Sequence, residues 1–225
     1  MVDFLHESIM SFRLFLRDVL TNPLQMGAVV PSSRALARAI VQAADIQTQQ
    51  TVVELGAGDG AFTREIVDRH PESPLVAFEI SPQLGAELRN RFASATIVVA
   101  PVEDLPQVAS RIGLKKIDRI VSGLPWALWS ETRQARILDA LVPFLTPTAR
   151  FVTFHYLHSR ALGRVKATRK LLDARFSRVT HSRPVWANFP PGYIHIADRP
   201  RVPGRPCGES DPEPTSSVVS SLTRA

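Results

Sequence analysis

The fold of this chain is decided by the stretch Val52-Val53-Glu54-Leu55-Gly56-Ala57-Gly58-Asp59-Gly60. An apolar run typical of a strand ends in a turn with three glycines, and helical spacing resumes directly afterwards at residues 61–67. Glycine lets the backbone turn sharply and approach a bound molecule without interference from a Cβ atom. The stretch therefore predicts a βα unit with a ligand-binding turn.

The two acids of this stretch, Glu54 and Asp59, indicate what the turn binds. A dinucleotide needs its pyrophosphate at the helix N-terminus after a G-x-G-x-x-G spacing, whereas the spacing here is G-x-G-x-G and the carboxylates would repel a diphosphate. S-adenosylmethionine carries a sulfonium, an ammonium and a carboxylate, and no phosphate. We therefore expect it as the cofactor, with a structural glycine turn as the alternative. The residues expected at its amino-acid end are Glu54, Gly56, Ala57, Gly58 and Gly60.

Three further strand ends complete the predicted cofactor site. Glu79 closes the next apolar strand, 19 residues after Gly60, where an acid can accept hydrogen bonds from both ribose hydroxyls. Glu103 follows the third strand, where a carboxylate can accept from the exocyclic amine of adenine; capping of the next turn by Glu103 or Asp104 is the alternative. The remaining residues expected at the cofactor are Ile80 beside Glu79, Val102 beside Glu103, and Ser122 and Gly123 at the end of the fourth strand.

The alternation of strands with helical segments predicts an α/β fold with a Rossmann-like, doubly wound, mostly parallel sheet. Predicted helices lie at residues 34–44, with Ser32 or Ser33 as N-cap, and at 61–67, 82–92, 131–145 and 160–175. The β-rich stretches at residues 178–186 and 193–198 are expected to form an antiparallel C-terminal end of the sheet. Ligands of such sheets bind at the carboxyl ends of the strands, and the motifs above all fall there.

Composition bounds the class of protein. The chain has 225 residues with 44% hydrophobic content, which suits one α/β domain of ordinary size. A single cysteine, Cys207, excludes an internal disulfide framework, and no His, Cys and Asp spacing resembles a metal site. No apolar run reaches the roughly 18 residues needed to span a bilayer, and Asp3 and Glu7 are unlike a signal peptide. These features favour a reducing cytosol.

Two segments point toward an anionic surface. Residues 4–20 place apolar side chains at steps of three and four, which predicts an amphipathic helix that either packs on the core or lies in a membrane interface. From Arg160 to Arg183 there are eight Lys or Arg against one acid, Asp173, which suits nucleic acid, an anionic membrane or a solvated helix face. We therefore divide the chain into a helix and connector (1–30), a cofactor-binding domain (31–199) and a disordered tail (200–225).

Four residues are candidates for handling the acceptor. Trp126 follows the fourth strand and can offer a π face to a cationic or planar acceptor, or pack in the core. His155 and Tyr156 end the fifth strand, and Asn188 follows the basic block, so each can hold the acceptor or relay a proton. Histidines at strand ends are also common as hydrogen-bonded surface groups.

Taken together, these motifs resemble the bacterial phospholipid N-methyltransferases, a family of class I S-adenosylmethionine-dependent enzymes related to the rRNA adenine dimethyltransferases. The residues that carry the resemblance form four segments: Asn22 to Ser33, Val53 to Gly60, Ser122-Gly123-Leu124-Pro125, and Val185-Trp186-Ala187-Asn188-Phe189-Pro190-Pro191. The resemblance implies methylation of the amine of phosphatidylethanolamine toward phosphatidylcholine. It also implies a cytoplasmic protein attached peripherally to the inner face of an anionic membrane.

Two other hypotheses remain open at this stage. An rRNA adenine N6-methyltransferase would use the basic surface for phosphates and an aromatic residue for a flipped base. The dimethyltransferases, however, have Asn-Leu-Pro-Tyr as their fourth motif, where this chain has Gly123 and Trp126 in place of the amide and the tyrosine, so nucleic acid is the less favoured partner. A non-catalytic adenosyl-binding membrane adaptor is the third hypothesis, because Ala100-Pro101 replaces the common Gly-Asp of the third motif.

Overall fold

The structure is a computed structural model that describes residues 33–201. The predicted amphipathic helix at residues 4–20, nearly all of the connector and the tail beyond Arg201 lie outside the described residues. The three-part division of the chain therefore stays a prediction.

Helices and strands alternate through most of the described chain. The helices are α1 (Arg34–Ala44), α2 (Ala61–Arg69), α3 (Pro82–Arg91), α4 (Leu105–Ile112), α5 (Glu131–Leu141) and α6 (Gly163–Arg175). The strands are β1 (Val52–Leu55), β2 (Leu75–Glu79), β3 (Ala95–Val99), β4 (Ile117–Ser122), β5 (Leu145–Tyr156), β6 (Phe176–His181) and β7 (Gly192–Pro200).

The strands form one sheet in the order β3-β2-β1-β4-β5-β7-β6. Strands β1 to β5 pair in parallel, while β7 is antiparallel to both β5 and β6. The predicted mostly parallel sheet with an antiparallel C-terminal end is thus confirmed. The strand order reverses between β1 and β4, and such a switch point is where open α/β sheets bind ligands.

Each face of the sheet is covered by its own group of helices. Val52 of β1 and Val152 of β5 pack with Ile40 of α1 and Ile66 of α2. The opposite faces of the same strands pack against residues of α4, α5 and α6. Ser33 is the N-cap of α1, as predicted, because its Oγ accepts from the Leu36 N–H at 3.2 Å. No helix within residues 33–201 is long and apolar enough to cross a bilayer.

The main departures from the predicted elements have local causes. Helix α4 was not predicted, because Pro106 obscures a helix that tolerates it in the first turn. Helix α5 ends at Leu141 rather than residue 145, since a short 3₁₀ turn containing Pro143 follows it. Strand β5 was predicted to span residues 150–156 but begins at Leu145, and it includes Pro147 beside an irregular pairing with β4.

Candidate active site

The glycine turn between β1 and α2 lies at the carboxyl edge of the sheet. Gly56, Gly58 and Gly60 all have positive φ angles, of 74°, 55° and 81°, a region that side chains with a Cβ rarely adopt. The N–H groups of Gly56 and Ala57 both donate to the Phe78 carbonyl of β2 at 2.9 Å. The backbone of the neighbouring strand therefore fixes the turn, and its glycines are required by conformation.

Glu79 connects the end of β2 to this turn. Its Oε2 accepts from the Gly58 N–H and its Oε1 accepts from the Ser81 N–H, each at 2.8 Å. The side chain is buried, with Ile80 half-buried beside it. Each carboxylate oxygen can accept a second hydrogen bond, so Glu79 has acceptor capacity left for ribose hydroxyls.

Glu54 lies under the turn, on the face of the sheet covered by α1 and α2. It is fully buried; its Oε2 accepts from the Thr63 hydroxyl at 2.7 Å, while its Oε1 has no hydrogen-bond partner. Burial raises the pKa of Glu54 to about 7, and the nearby charges of Glu79 and Asp59 act in the same direction. A cationic ligand group above the turn would favour the ionised form of this carboxyl.

The end of β4 lies directly against the glycine turn. Leu55 and Ser122 are register partners, and the Gly123 N–H donates to the Leu55 carbonyl at 2.8 Å. A Cβ on residue 123 would lie 2.8 Å from the Gly56 carbonyl oxygen. Ser122 is buried and its Oγ accepts from the Trp126 indole N–H at 3.0 Å.

The end of β3 reaches the same edge, next to β2. Val102 is buried, and the Glu103 carboxylate accepts from the Arg133 guanidinium at 3.1 Å. Asp104 precedes α4 but makes no side-chain capping hydrogen bond. The capping alternative for Asp104 is therefore wrong, and adenine contact by Glu103 stays a prediction.

These residues fit S-adenosylmethionine. The space beside Gly58 is open, since a Cβ there would meet nothing within 4 Å. Helix α2 begins at Ala61, with Gly60 as its N-cap, so the positive end of the helix dipole lies at this turn. The Ala61 N–H itself donates to Asp59 Oδ1 at 3.1 Å. The roles predicted for Glu54 at the ammonium and for Glu79 at the ribose stay predictions, and the orphaned Glu54 Oε1 and the remaining acceptor capacity of Glu79 are compatible with them.

Trp126 packs in the core, which is the alternative predicted for it, and it offers no exposed surface to an acceptor. The side chain is only 1% exposed. Its ring packs edge-on against Phe151 of β5 at 5.8 Å and against Trp129 at 6.1 Å. Because the ring is covered on the α5 and α6 face of the sheet, its π face is part of the core.

His155 is buried on that same face rather than exposed at the strand end. It is 3% exposed, neither ring nitrogen has a hydrogen-bond partner, and its ring lies 5.0 Å from that of His195 on β7. Burial, and then the neighbouring His195, lower the pKa of His155 to about 3. The ring is therefore a neutral group of the core, and the structure gives no support to the acceptor-binding or proton-relay role predicted for His155.

Tyr156 and Asn188 lie toward the other face of the sheet. Successive side chains of a strand alternate, so Tyr156 points opposite to His155; it lies at the carboxyl edge and contacts Phe154 and His158. Asn188 accepts from the Ser33 N–H at 3.2 Å and donates to the Pro190 carbonyl at 2.7 Å. The four candidate acceptor residues thus do not converge, and only Tyr156 and Asn188 lie on the α1 side of the edge.

Three further residues near this edge had only weak signals in the sequence. Thr63 supplies the hydroxyl that binds Glu54, and only its position in the first turn of α2 could have indicated this. Trp186 and Phe189 flank Asn188 and are the two most exposed large apolar residues of the described chain. Sequence alone does not show which aromatic residues stay outside a core.

Comparisons with known proteins agree with this geometry. Residues 31–102 match the family model described as ribosomal RNA adenine dimethylase. An ornithine lipid N-methyltransferase of Singulisphaera acidiphila is 33% identical over 62% of this chain and 75% of its own length. A probable ribosomal RNA small subunit methyltransferase A of Methanosarcina mazei is 34% identical over 41% of this chain, but the match spans only 32% of that protein.

The chain belongs to the S-adenosylmethionine-dependent methyltransferases related to the ribosomal RNA adenine dimethylases. Among solved structures, TrmN of Thermus thermophilus superposes with a TM-score of 0.56 at 15% identity, over 74% of this chain and 48% of that one. That likeness concerns the fold alone. For this methyltransferase, binding of the donor at the glycine turn with Glu54 and Glu79 stays a prediction.

Proposed function

We propose that this methyltransferase transfers methyl groups from S-adenosylmethionine to the amine of phosphatidylethanolamine, toward phosphatidylcholine, at the cytoplasmic face of an anionic membrane. The donor supplies an electrophilic methyl group on a sulfonium. The protein therefore needs to bind the donor, exclude water and orient the amine, and requires no nucleophilic triad.

The observation that carries the proposal is that the two sequence similarities cover different parts of the fold. The match to the RNA dimethylase model stops at residue 102, so it covers the donor half of the fold and none of β4 to β7, from which an acceptor would be approached. The match to the Singulisphaera acidiphila protein, by contrast, covers three quarters of that protein, which is named as a lipid N-methyltransferase. This contrast favours a lipid amine as acceptor, with ornithine lipid as the nearest alternative.

The geometry at Gly123 argues in the same direction. The RNA adenine dimethyltransferases have an amide at this position of their fourth motif. Here a Cβ at residue 123 would approach the Gly56 carbonyl oxygen to 2.8 Å, so the backbone leaves no space for an amide side chain. The aromatic residue of that motif, Trp126, is enclosed in the core. Neither position therefore supports recognition of a flipped base.

Methylation of an rRNA adenine is the second candidate, because the family model and several relatives carry that name. A non-catalytic donor-binding adaptor is the third. The three candidates differ in what happens to the methyl group once the donor is bound.

An acceptor series with methyl-labelled donor tests the proposal. The purified protein is offered phosphatidylglycerol vesicles containing phosphatidylethanolamine, ornithine lipid or phosphatidylcholine, and separately deproteinised rRNA. We expect label in phosphatidylethanolamine and none in phosphatidylcholine, whose nitrogen is already fully substituted. Label in ornithine lipid alone, or in rRNA alone, would replace the proposed acceptor by that one. Binding of S-adenosylhomocysteine without any transfer would favour the adaptor.

A further inference from the structure

We propose that the 182–191 loop, which joins β6 to β7, is a membrane-docking element that places Trp186 and Phe189 in the interface of an anionic bilayer. The proposal rests on the membrane setting of the proposed function. It assigns docking to a part of the fold separate from the predicted N-terminal helix.

The two aromatic side chains are exposed to an unusual degree. Trp186 is 73% exposed and Phe189 is 81% exposed, whereas the other large exposed apolar residues of the described chain, Ile112 and Leu162, reach 39% and 49%. Single exposed apolar residues are ordinary, but here two aromatics lie three positions apart on one loop. Tryptophan in particular is favoured at the level of lipid headgroups.

The loop is anchored, so the aromatics are presented outward by a fixed backbone. Asn188, between them, is buried and bonded to the Ser33 N–H and the Pro190 carbonyl. At the base of the loop, the Val185 N–H donates to the Gly192 carbonyl at 2.7 Å. These hydrogen bonds hold the backbone of the loop at its centre and at its base, and the two aromatic side chains project from it into solvent.

Cations flank the same loop. A cleft of about 290 Å³ is lined by Arg160, Arg183, His181 and Tyr193, together with Leu157, Ser182 and Pro184. The Arg160 guanidinium lies over the Tyr193 ring at 5.8 Å. Within residues 33–201, neither Arg160 nor Arg183 forms an ion pair with a carboxylate. Arginines beside exposed aromatics match a surface where phosphates lie next to the acyl boundary.

Three of the eight cations of the basic block are ion-paired. Arg169 pairs with Asp173 at 2.8 Å, and Arg175 pairs with Asp139 at 2.6 Å. Lys170 lies 3.9 Å from Glu131. Of the cations in this block that form no ion pair within residues 33–201, Arg160 and Arg183 lie beside the 182–191 loop, and the others lie on α6 and β6.

The position of the loop suits the proposed reaction. Strand β6 runs parallel to β5, so its carboxyl end and the loop lie at the edge that carries the glycine turn. The contact between Asn188 and Ser33 brings the start of the described chain to the same edge.

Vesicle binding by the full chain tests the proposal. The variants are W186S/F189S, R160E/R183E and, as a matched control, I112S, which changes an exposed apolar residue at the far end of α4. The vesicles contain phosphatidylglycerol and phosphatidylcholine but no phosphatidylethanolamine, so docking is measured without a methyl acceptor. Co-sedimentation gives affinity, and phosphatidylcholine brominated on its acyl chains gives insertion through quenching of tryptophan fluorescence.

We expect W186S/F189S to bind vesicles roughly tenfold or more weakly, because both side chains lose apolar contact with the bilayer. R160E/R183E should weaken binding to phosphatidylglycerol vesicles and lower its dependence on ionic strength. A further variant, W186F, should lose most of the quenching by brominated lipid, since Trp126 is buried and the half-buried Trp129 packs against the same core cluster. I112S should bind as the parent does, and all variants should bind S-adenosylhomocysteine normally.

Three results would overturn the proposal: unchanged vesicle binding by W186S/F189S, an equal loss in I112S, or self-association of the parent chain that W186S/F189S abolishes while vesicle binding persists. The last result would assign the aromatics to a contact between copies of the chain. If the chain docks on vesicles through Trp186 and Phe189 but does not methylate phosphatidylethanolamine, the docking proposal stands and the proposed function fails. If the chain methylates phosphatidylethanolamine but W186S/F189S docks as the parent does, the proposed function stands and the docking proposal fails.

Discussion

Gly123 and Gly56 meet backbone to backbone, so closely that a Cβ on residue 123 would lie 2.8 Å from the Gly56 carbonyl oxygen. The contact joins the ends of β1 and β4 at the point where the strand order reverses. The glycine turn after β1 and the loop after β4 are therefore in direct backbone contact. A substitution that displaces one of them should displace the other.

The first prediction concerns this contact. Gly123→Ala should weaken binding of S-adenosylhomocysteine roughly tenfold, because overpacking against a carbonyl costs about 1–3 kcal/mol and must displace the glycine turn. Calorimetric titration measures the effect. Gly163→Ala, at the start of α6 where a Cβ meets nothing within 4 Å, serves as control. Unaltered affinity in Gly123→Ala would show that the turn does not depend on this approach.

The second prediction follows from the buried carboxyl of Glu54. Its pKa in the folded protein, about 7, is raised above the ordinary value of 4.5, so the folded state retains a proton that the unfolded chain releases. The associated stability is present below about pH 4.5 and is lost as pH rises through 7, a decrease of about 3 kcal/mol.

This dependence is checked by measuring the free energy of unfolding of the ligand-free protein in urea at several values between about pH 5 and about pH 8. Glu54→Gln can still accept from Thr63 but does not ionise, so its stability should vary less over the same range. Glu103→Gln, which alters a partly exposed carboxylate, should keep the parent's dependence. Identical pH profiles for the parent and Glu54→Gln would contradict the shifted pKa.

The third prediction separates the role of Glu79 from that of Glu54. Glu79→Ala removes the acceptor for the Gly58 N–H and the one expected for the ribose hydroxyls. Affinity for S-adenosylmethionine and for S-adenosylhomocysteine should fall by the same factor, about ten- to a hundredfold, because both ligands contain the ribose. Glu87→Ala, on an exposed position of α3, should leave both affinities unchanged. A loss confined to one ligand would place Glu79 elsewhere in the site.

The fourth prediction concerns the corrected assignment of Trp126. Trp126→Phe should lower the free energy of unfolding by about 1–3 kcal/mol, through a cavity and the lost hydrogen bond to Ser122. Methyl transfer per folded molecule should persist at low temperature. Denaturant unfolding and a transfer assay on the same preparation give both quantities. If a stably folded Trp126→Phe were inactive, the ring would have to contact the acceptor after all.

Much of the fold could be predicted because it depends on local chemistry. The apolar runs around Val53 and Val76, the glycine turn, and Ser33 as an N-cap are each specified by residues close in sequence. Parallel pairing then brings the strand ends to one edge without further information. For this reason the predicted donor residues lie together, although their contacts with the donor itself stay predictions.

The acceptor side was harder to predict, because its residues are placed by tertiary contacts. His155 and Tyr156 are adjacent in sequence yet point to opposite faces of the sheet, and only the covering helices decide their environment. Asn188 contacts Ser33 across 155 positions, which no periodicity encodes. Likewise, the sequence does not indicate that Trp126 is buried in the core whereas Trp186 is exposed to solvent.

Mass spectrometry of the lipids recovered after incubation with S-adenosylmethionine tests the central claim most directly. Phosphatidylglycerol vesicles containing phosphatidylethanolamine are treated with the parent chain or with Glu79→Ala, and the headgroups are fragmented. We expect methyl groups on the ethanolamine nitrogen after treatment with the parent chain, and few or none after treatment with Glu79→Ala. Unmodified phosphatidylethanolamine, with methylated adenine in rRNA treated by the same preparation, would contradict it.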